Sequence, residues 1–380
     1  MKVFHGSAFV VCLLLALGLA SPSDASAADT VTDVSGRVVA VPAKVERIVL
    51  GFGVFPAFAA VEGPQPFARV AAMGADLASR TPALHAALAQ RFPELNDIPV
   101  MAAGADGKGA SIEQILALEP DAAIFGGGGD GAVTPRPGSL QAQLEAAGVP
   151  VIYVDFRSHP GRNTVPSMRA IARLIGREEQ GEEFVRFHEV QLRRVNERVA
   201  DLSPEQRPRL FLDMRAGGIA ECCGTPGDGN YGDFITAAGA VNVGAELHQG
   251  ILGSARPDAI AAAHPAIYVA GGSGGADARV GVKLGEDIRP EQARESLRST
   301  VAQRAGIDTL PAVQAGNVHA VWHNFYNHPF NVVAVQALAK IAHPERFGDL
   351  DPDATMREML RKFLHVELDG TYWISGAAAR

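Results

Sequence analysis

The sequence predicts an α/β protein of two lobes, each with mostly parallel strands flanked by helices, joined by one long helix. Three observations predict it. Short apolar runs of strand length alternate with capped helical segments, the pattern of parallel strands covered by crossover helices. The alternation runs to about residue 155 and restarts near residue 209. Between them, 178–200 holds Phe184, Phe187, Val190 and Val195 at helical spacing, with no proline and only Gly181 near its start. At 1.5 Å per residue such a helix spans about 34 Å, the width of a small domain.

The elements follow in order. Lys2, an apolar core at 9–20 and Ala25-Ser26-Ala27 form an export leader over 1–28, its core too short to cross a membrane. Cys12 lies inside that core, which argues against lipid attachment at the cleavage point. The expected units are then 29–160, a helical connection 161–203, and 204–380. In the first, 33–41 reads as a hairpin broken at Gly36. Residues 47–50 form a buried strand opening into Gly51-Phe52-Gly53, followed by a helix at 55–61. Ser111 caps a helix with Gln114 at its third position, and Glu119-Pro120-Asp121 stops it. A strand at 122–125 runs into the glycines of 126–129. A helix at 140–147 closes at Gly148 and leads to a strand at 149–155. The connection starts with a helix at 164–175 whose Ile171, Leu174 and Ile175 face inward. The second unit reads as strands at 209–214, 266–270 and 317–322, with helices at 232–238, 257–263, 300–305, 331–343 and from Asp353 onward.

Composition narrows the function. The net charge is −8, unchanged by removal of the leader, and there is no basic tract, so nucleic acid is not an expected partner. Apolar residues make up 47% of the chain, enough for well-filled cores. Only Cys222 and Cys223 lie beyond the leader. Adjacent cysteines cannot staple distant segments, so burial must hold the fold. There is no HExxH, no CxxC, no phosphate loop and no GxGxxG, so neither an enzyme nor a bound cofactor is expected.

Several segments carry a family likeness. DVSGRVVAVP at 33–42 followed by Arg47-Ile48-Val49, SIEQILALEPDAAI at 111–124, LEAAGVPV at 144–151, AAGAVN at 237–242 and LPAVQAGNVH at 310–319 occur in one order. Together they resemble the periplasmic binding proteins that carry iron–siderophores, haem and cobalamin, over nearly all of 30–350. The resemblance implies a class III binding-protein fold, a bridging helix that lets two lobes close only slightly, and a periplasmic location. It also implies a metal-chelate ligand and delivery to an inner-membrane ABC permease. A monomer is the expected state, with Glu62 and Glu246 as candidate permease contacts. Any metal is expected to arrive with the ligand.

Open parallel sheets bind ligands beyond the C-terminal ends of their strands. The candidate ligand residues are therefore Phe52, Arg157, Arg215, Cys222, Cys223, Tyr231, His323 and Tyr326. Arg157 and Arg215 end strands in opposite lobes. Facing one cleft they suit an anionic ligand; apart they are ordinary surface residues. Tyr326 offers a hard oxygen and His323 a nitrogen to a ferric ion, or both pack in an aromatic cluster. Cys222-Cys223 reads three ways: a vicinal disulfide, thiolate ligands, or unpaired structural thiols. The expected ligand is a ferric chelate of siderophore type. Molybdate or tungstate, haem or cobalamin are the alternatives on the same fold, and an exported metal- or thiol-dependent enzyme is the reading from another class.

Overall fold

Runs rich in valine, isoleucine and leucine, too short for helices, become the strands of two sheets. The computed structural model describes Met1 and residues 29–101, 110–127, 138–218, 222–274 and 280–376. The first sheet contains β1 (Ile48–Leu50), β2 (Val70–Met73), β3 (Ala122–Gly126) and β4 (Val151–Val154), all parallel, in the order β2-β1-β3-β4. The second contains β5 (Arg209–Asp213), β6 (Val241–Asn242), β7 (Ile267–Gly272), β8 (Val318–Trp322) and β9 (Trp373–Ile374), in the order β9-β8-β7-β5-β6. Only β9 in that sheet runs antiparallel. Strands β1, β4, β7 and β8 are buried at every position, as strands covered on both faces must be.

A hairpin is present, but it pairs Thr30–Thr32 with Val38–Ala40, so its first strand precedes the expected 33–41 and Gly36 lies in the connection. The leader at 2–28, the glycines Gly128 and Gly129, and Glu221 lie outside the described residues. The region 63–110 holds more than the sequence suggested: β2 and two helices, Asp76–Arg80 and Pro82–Arg91. The helix expected at 300–305 instead runs Pro290–Ala302. Proline starts it, and Ala293, Leu297 and Val301 bury a stripe at four-residue spacing.

The connection is a helix pair. Helix α1 (Phe55–Glu62) belongs to the first lobe, and α2 (Pro160–Ile175) ends at Gly176, whose left-handed φ of +65° turns the chain into α3 (Glu178–Val199). Helix α3 has 22 residues. At Gly181 it lies so close to α2 that a Cβ there would stand 2.4 Å from Ala172 Cβ. The second lobe includes α4 (Tyr231–Ala237), α5 (Val332–Ala342) and α6 (Pro352–Phe363) among its helices. Polar pairs lock α3 to this side. His188 Nε2 meets Asn331 Oδ1 at 3.0 Å, and Gln336 Nε2 donates to Gln191 Oε1 at 3.0 Å. Phe184 packs edge-on against Phe363 at 4.9 Å.

One apolar core runs from Ile48 and Leu50 through these helices to Leu212, Val269 and Ile374. A smaller core covers the other face of the first sheet, where Val49, Ala123 and Phe125 point, as the two-residue side-chain period requires. Wide opening of the lobes would expose the shared core at about 25 cal/mol per Å² of apolar surface. The architecture therefore favours a clamp of small amplitude.

Buried histidines tie stability to pH. Burial holds His319 down at about 4, and His323 and His328 down at about 3, against an ordinary 6.5. Such groups bind fewer protons folded than unfolded, so their stability is present above 6.5 and is lost as the pH falls through the interval below it. Glu286, pushed by burial from 4.5 to about 7, acts oppositely: its stability is present below 4.5 and is lost as pH rises through 7. Each group contributes a slope of at most about 1.4 kcal/mol per pH unit, and three histidines outweigh one carboxyl. The urea midpoint is expected to drop between about pH 7 and about pH 5. An unchanged or higher midpoint in acid would show that these imidazoles are not buried neutral.

Candidate ligand-binding crevice

Five parallel strands end on one crevice between the lobes. After β1 the chain turns through Phe52, which is 40% exposed. The loop is set by Asp76, whose carboxylate accepts the Gly53 N–H at 2.9 Å. After β2 comes the short helix that ends in Arg80, and the Arg80 guanidinium lies 5.0 Å over the Phe52 ring. After β4, Asp155 is buried and shapes the next loop. Its Oδ1 accepts from Arg157 N at 2.9 Å and Ser158 N at 2.6 Å, and its Oδ2 accepts from His159 N at 3.0 Å.

The second lobe supplies the opposite wall. Beyond β5, Arg215 takes a left-handed φ of +55° in a turn held by the Met214 N–H to Gly224 O at 2.6 Å and the Ala216 N–H to Gly271 O at 3.0 Å. Beyond β8, a single 3₁₀ turn, His323–Asn327, presents His323 and Tyr326. Their rings stack at 4.6 Å with 24° between planes. The Arg157 guanidinium lies 5.0 Å over the Tyr326 ring. Phe52, Asp76 and Arg80 from one lobe and Asn324, Tyr326 and His328 from the other line one narrow opening.

The electrostatics are strongly positive. Burial depresses His323 most, and the charges of Arg215, Arg80 and Arg157 depress it further, in that order. Three guanidinium groups from both lobes thus act on one neutral imidazole. Arg157 Nε, His323 Nδ1 and Asn324 Oδ1 are buried with no hydrogen-bond partner among the described residues. Of these, the Arg157 Nε–H is a donor, and beside concentrated positive charge it is suited to an anion; Asn324 Oδ1 is an acceptor.

Of the residues expected at the site, Phe52, Arg157, Arg215, His323 and Tyr326 come together. Tyr231 does not reach the crevice. It is 1% exposed, packs edge-on against Phe234, and gives its hydroxyl to the Trp322 carbonyl, so it supports the end of β8 from behind. Cys222 and Cys223 are joined to each other, which removes both sulfurs as thiolate ligands, and Cys223 is fully buried. Asp213 lies beside both sulfurs, but its carboxylate is bound to Arg304 and Tyr268. Glu62 is no surface contact either: it is 6% exposed and faces Arg69 at 3.3 Å. Glu246 is exposed and paired with Arg209. Arg80 was not anticipated; its only sequence signal is a charged residue soon after the Val70–Met73 run.

Two parallel-stranded lobes on a shared helical connection, with a cationic crevice between them, define a solute-binding protein. The chain belongs to the periplasmic binding protein family, whose model matches residues 73–321. No curated sequence relative matches it. Among solved structures it is similar to the TroA-like periplasmic binding protein FepB of Veillonella parvula, with 26% identity and a TM-score of 0.78 over 91% of this chain and 99% of that one. It shares its fold with the molybdate periplasmic binding protein MolA of Haemophilus influenzae in a molybdate-bound structure, at 18% identity and TM-score 0.65 over 90% and 99% of the two chains. It also shares its fold with the periplasmic heme-binding protein RhuT of Roseiflexus sp. RS-1, at 17% identity and TM-score 0.55 over 80% and 99%.

Proposed function

We propose that this protein captures an anionic metal chelate, of ferric siderophore type, in the crevice between its lobes and delivers it to an ABC permease without transforming it. The observation that carries this reading is the convergence of Arg80, Arg157 and Arg215 on His323 and Tyr326. Guanidinium groups fit carboxylate or catecholate oxygens in pairs. The exposed Phe52 offers apolar contact that a bare oxyanion does not need. Tyr326 or His323 supplies a donor to an open position on the iron. Export by the leader at 1–28 and release to a permease complete the reading.

The test is calorimetric titration with ferric citrate, a ferric catecholate, haem, cobalamin and molybdate, repeated at raised salt. Ferric citrate or the catecholate is expected to bind, more weakly as salt screens the arginines. A hundredfold excess over the dissociation constant should add about 2.7 kcal/mol of stability. Molybdate alone would make the site an oxyanion site, since three close cations suit a small dense anion as well. Binding of cobalamin alone, or of nothing, would end the chelate reading.

A further inference from the structure

We infer that Asn230 is a positioning residue that holds Arg157 and Tyr326 in register across the crevice. The inference rests on reading that crevice as the ligand site. Asn230 stands at the head of α4, is fully buried, and has a φ of +54°. Its side-chain amide Nδ2 donates to the Arg157 carbonyl at 2.6 Å and, more weakly, to the Tyr326 carbonyl at 3.4 Å. Its backbone N–H donates to the Ser158 carbonyl at 2.9 Å. One residue therefore joins a loop of the first sheet to a loop of the second, and both loops carry a ligand-facing side chain.

The surroundings are built for this contact. Gly229 has a φ of +123°, and a Cβ there would lie 2.3 Å from the Ser158 carbonyl oxygen, so only glycine lets the two loops come this close. Asp233, in the first turn of α4, accepts the Gly161 N–H at 2.9 Å and so holds the start of α2, directly after that loop. The Oδ1 of Asn230 is buried with no partner among the described residues. An unpaired buried acceptor is costly, and a residue kept only for packing would not carry one.

Chemistry leaves few substitutes. The backbone here, φ +54° and ψ −130°, favours glycine, with asparagine and aspartate the side chains that most often accept a positive φ. Of these only asparagine can donate to two carbonyls at once: glycine has no side chain, and aspartate presents acceptors to acceptors. Without the donors, the Arg157 backbone follows the first sheet and the Tyr326 backbone the second. The 5.0 Å approach of the guanidinium to the Tyr326 ring then loses the one side chain that reaches both carbonyls, and only the Asn230 N–H and Asp233 bonds to the first-lobe segment remain.

The variants are Asn230→Gly and Asn230→Asp, both compatible with the backbone. Hydrogen exchange is measured first on ligand-free protein. Protection is expected to fall together in 157–161 and 323–328, by about tenfold or more, while β5 and β7 keep theirs. Loss in only one of the two loops, loss throughout the chain, or no loss would each overturn the inference. The second arm titrates ferric citrate, where affinity is expected to fall about tenfold, mostly through faster release. If the unsubstituted protein ignores ferric citrate, that probe fails the chelate reading, and the exchange result still decides the role of Asn230. If Asn230→Asp does not fold, Asn230→Gly carries both arms.

Discussion

Arg304→Met is expected to destabilise the fold by about 3–5 kcal/mol, the usual cost of leaving one partner of a buried ion pair alone. Asp213 ends β5 and is fully buried. The guanidinium grips it with two bonds, Nε to Oδ2 at 2.6 Å and Nη2 to Oδ1 at 3.0 Å, and Tyr268 adds its hydroxyl at 2.8 Å. Burial pushes this carboxyl up, while Arg304 and Tyr268 pull it down. Without Arg304, burial acts with little opposition and the carboxyl rises further. A carboxyl raised in the fold binds a proton that the unfolded chain releases. Its stability is present below the ordinary 3.8 and is lost as pH rises, so the deficit should deepen from acid toward neutral. Urea unfolding at several pH values measures both effects. Adding Asp213→Leu should restore most of the loss, because an apolar pair needs no desolvation. A deficit under about 1 kcal/mol would mean that the pair is wet and contributes as a surface bridge does. The position matters for function, since Met214 and Arg215 follow Asp213 directly, and a loosened strand end would let Arg215 drift from the crevice.

Most strands were legible because their residues are β-branched or apolar on both faces and end in glycine or a turn. Strands β1, β3, β4, β5, β7 and β8 all have this form. Strand β2 does not: Val-Ala-Ala-Met is half alanine, a poor strand former, and the helix behind it has five residues, too short to show a period. Arg80 sits at the end of that helix, so the third guanidinium was hidden with its element. The errors at Tyr231 and Glu62 have another cause. A place after a strand, or at a helix end, says where a residue is along the chain but not what packs on it. Tyr231 finds the Trp322 carbonyl, and Glu62 ends a helix buried at every position, where Arg69 meets it. The cysteines show the limit of composition: adjacency allowed a disulfide without requiring it, and in the fold the two are bonded with Cys223 fully buried.

Arg157→Ala and Arg215→Ala are each expected to weaken binding of a ferric chelate by about one to two orders of magnitude. A hydrogen bond to a charged group is worth about 1.5–3 kcal/mol, and every 1.4 kcal/mol is a factor of ten. The same variants carry a signal that needs no ligand. His323 is held down at about 3 first by burial, then by Arg215, Arg80 and Arg157. Removing a guanidinium withdraws part of that depression, so the imidazole should titrate higher in each variant. The rise should be largest for Arg215→Ala, then Arg80→Ala, then Arg157→Ala. Burial persists in all three, so none should return to the ordinary 6.5. A metal-free anion such as citrate added to the unsubstituted protein should move the imidazole the same way, because it offsets the same charges. NMR titration of the His323 ring reads every one of these shifts. If the three variants titrate as the unsubstituted protein does, the guanidinium groups do not act on the imidazole, and the anion-binding argument loses its geometry whatever the chelate turns out to be.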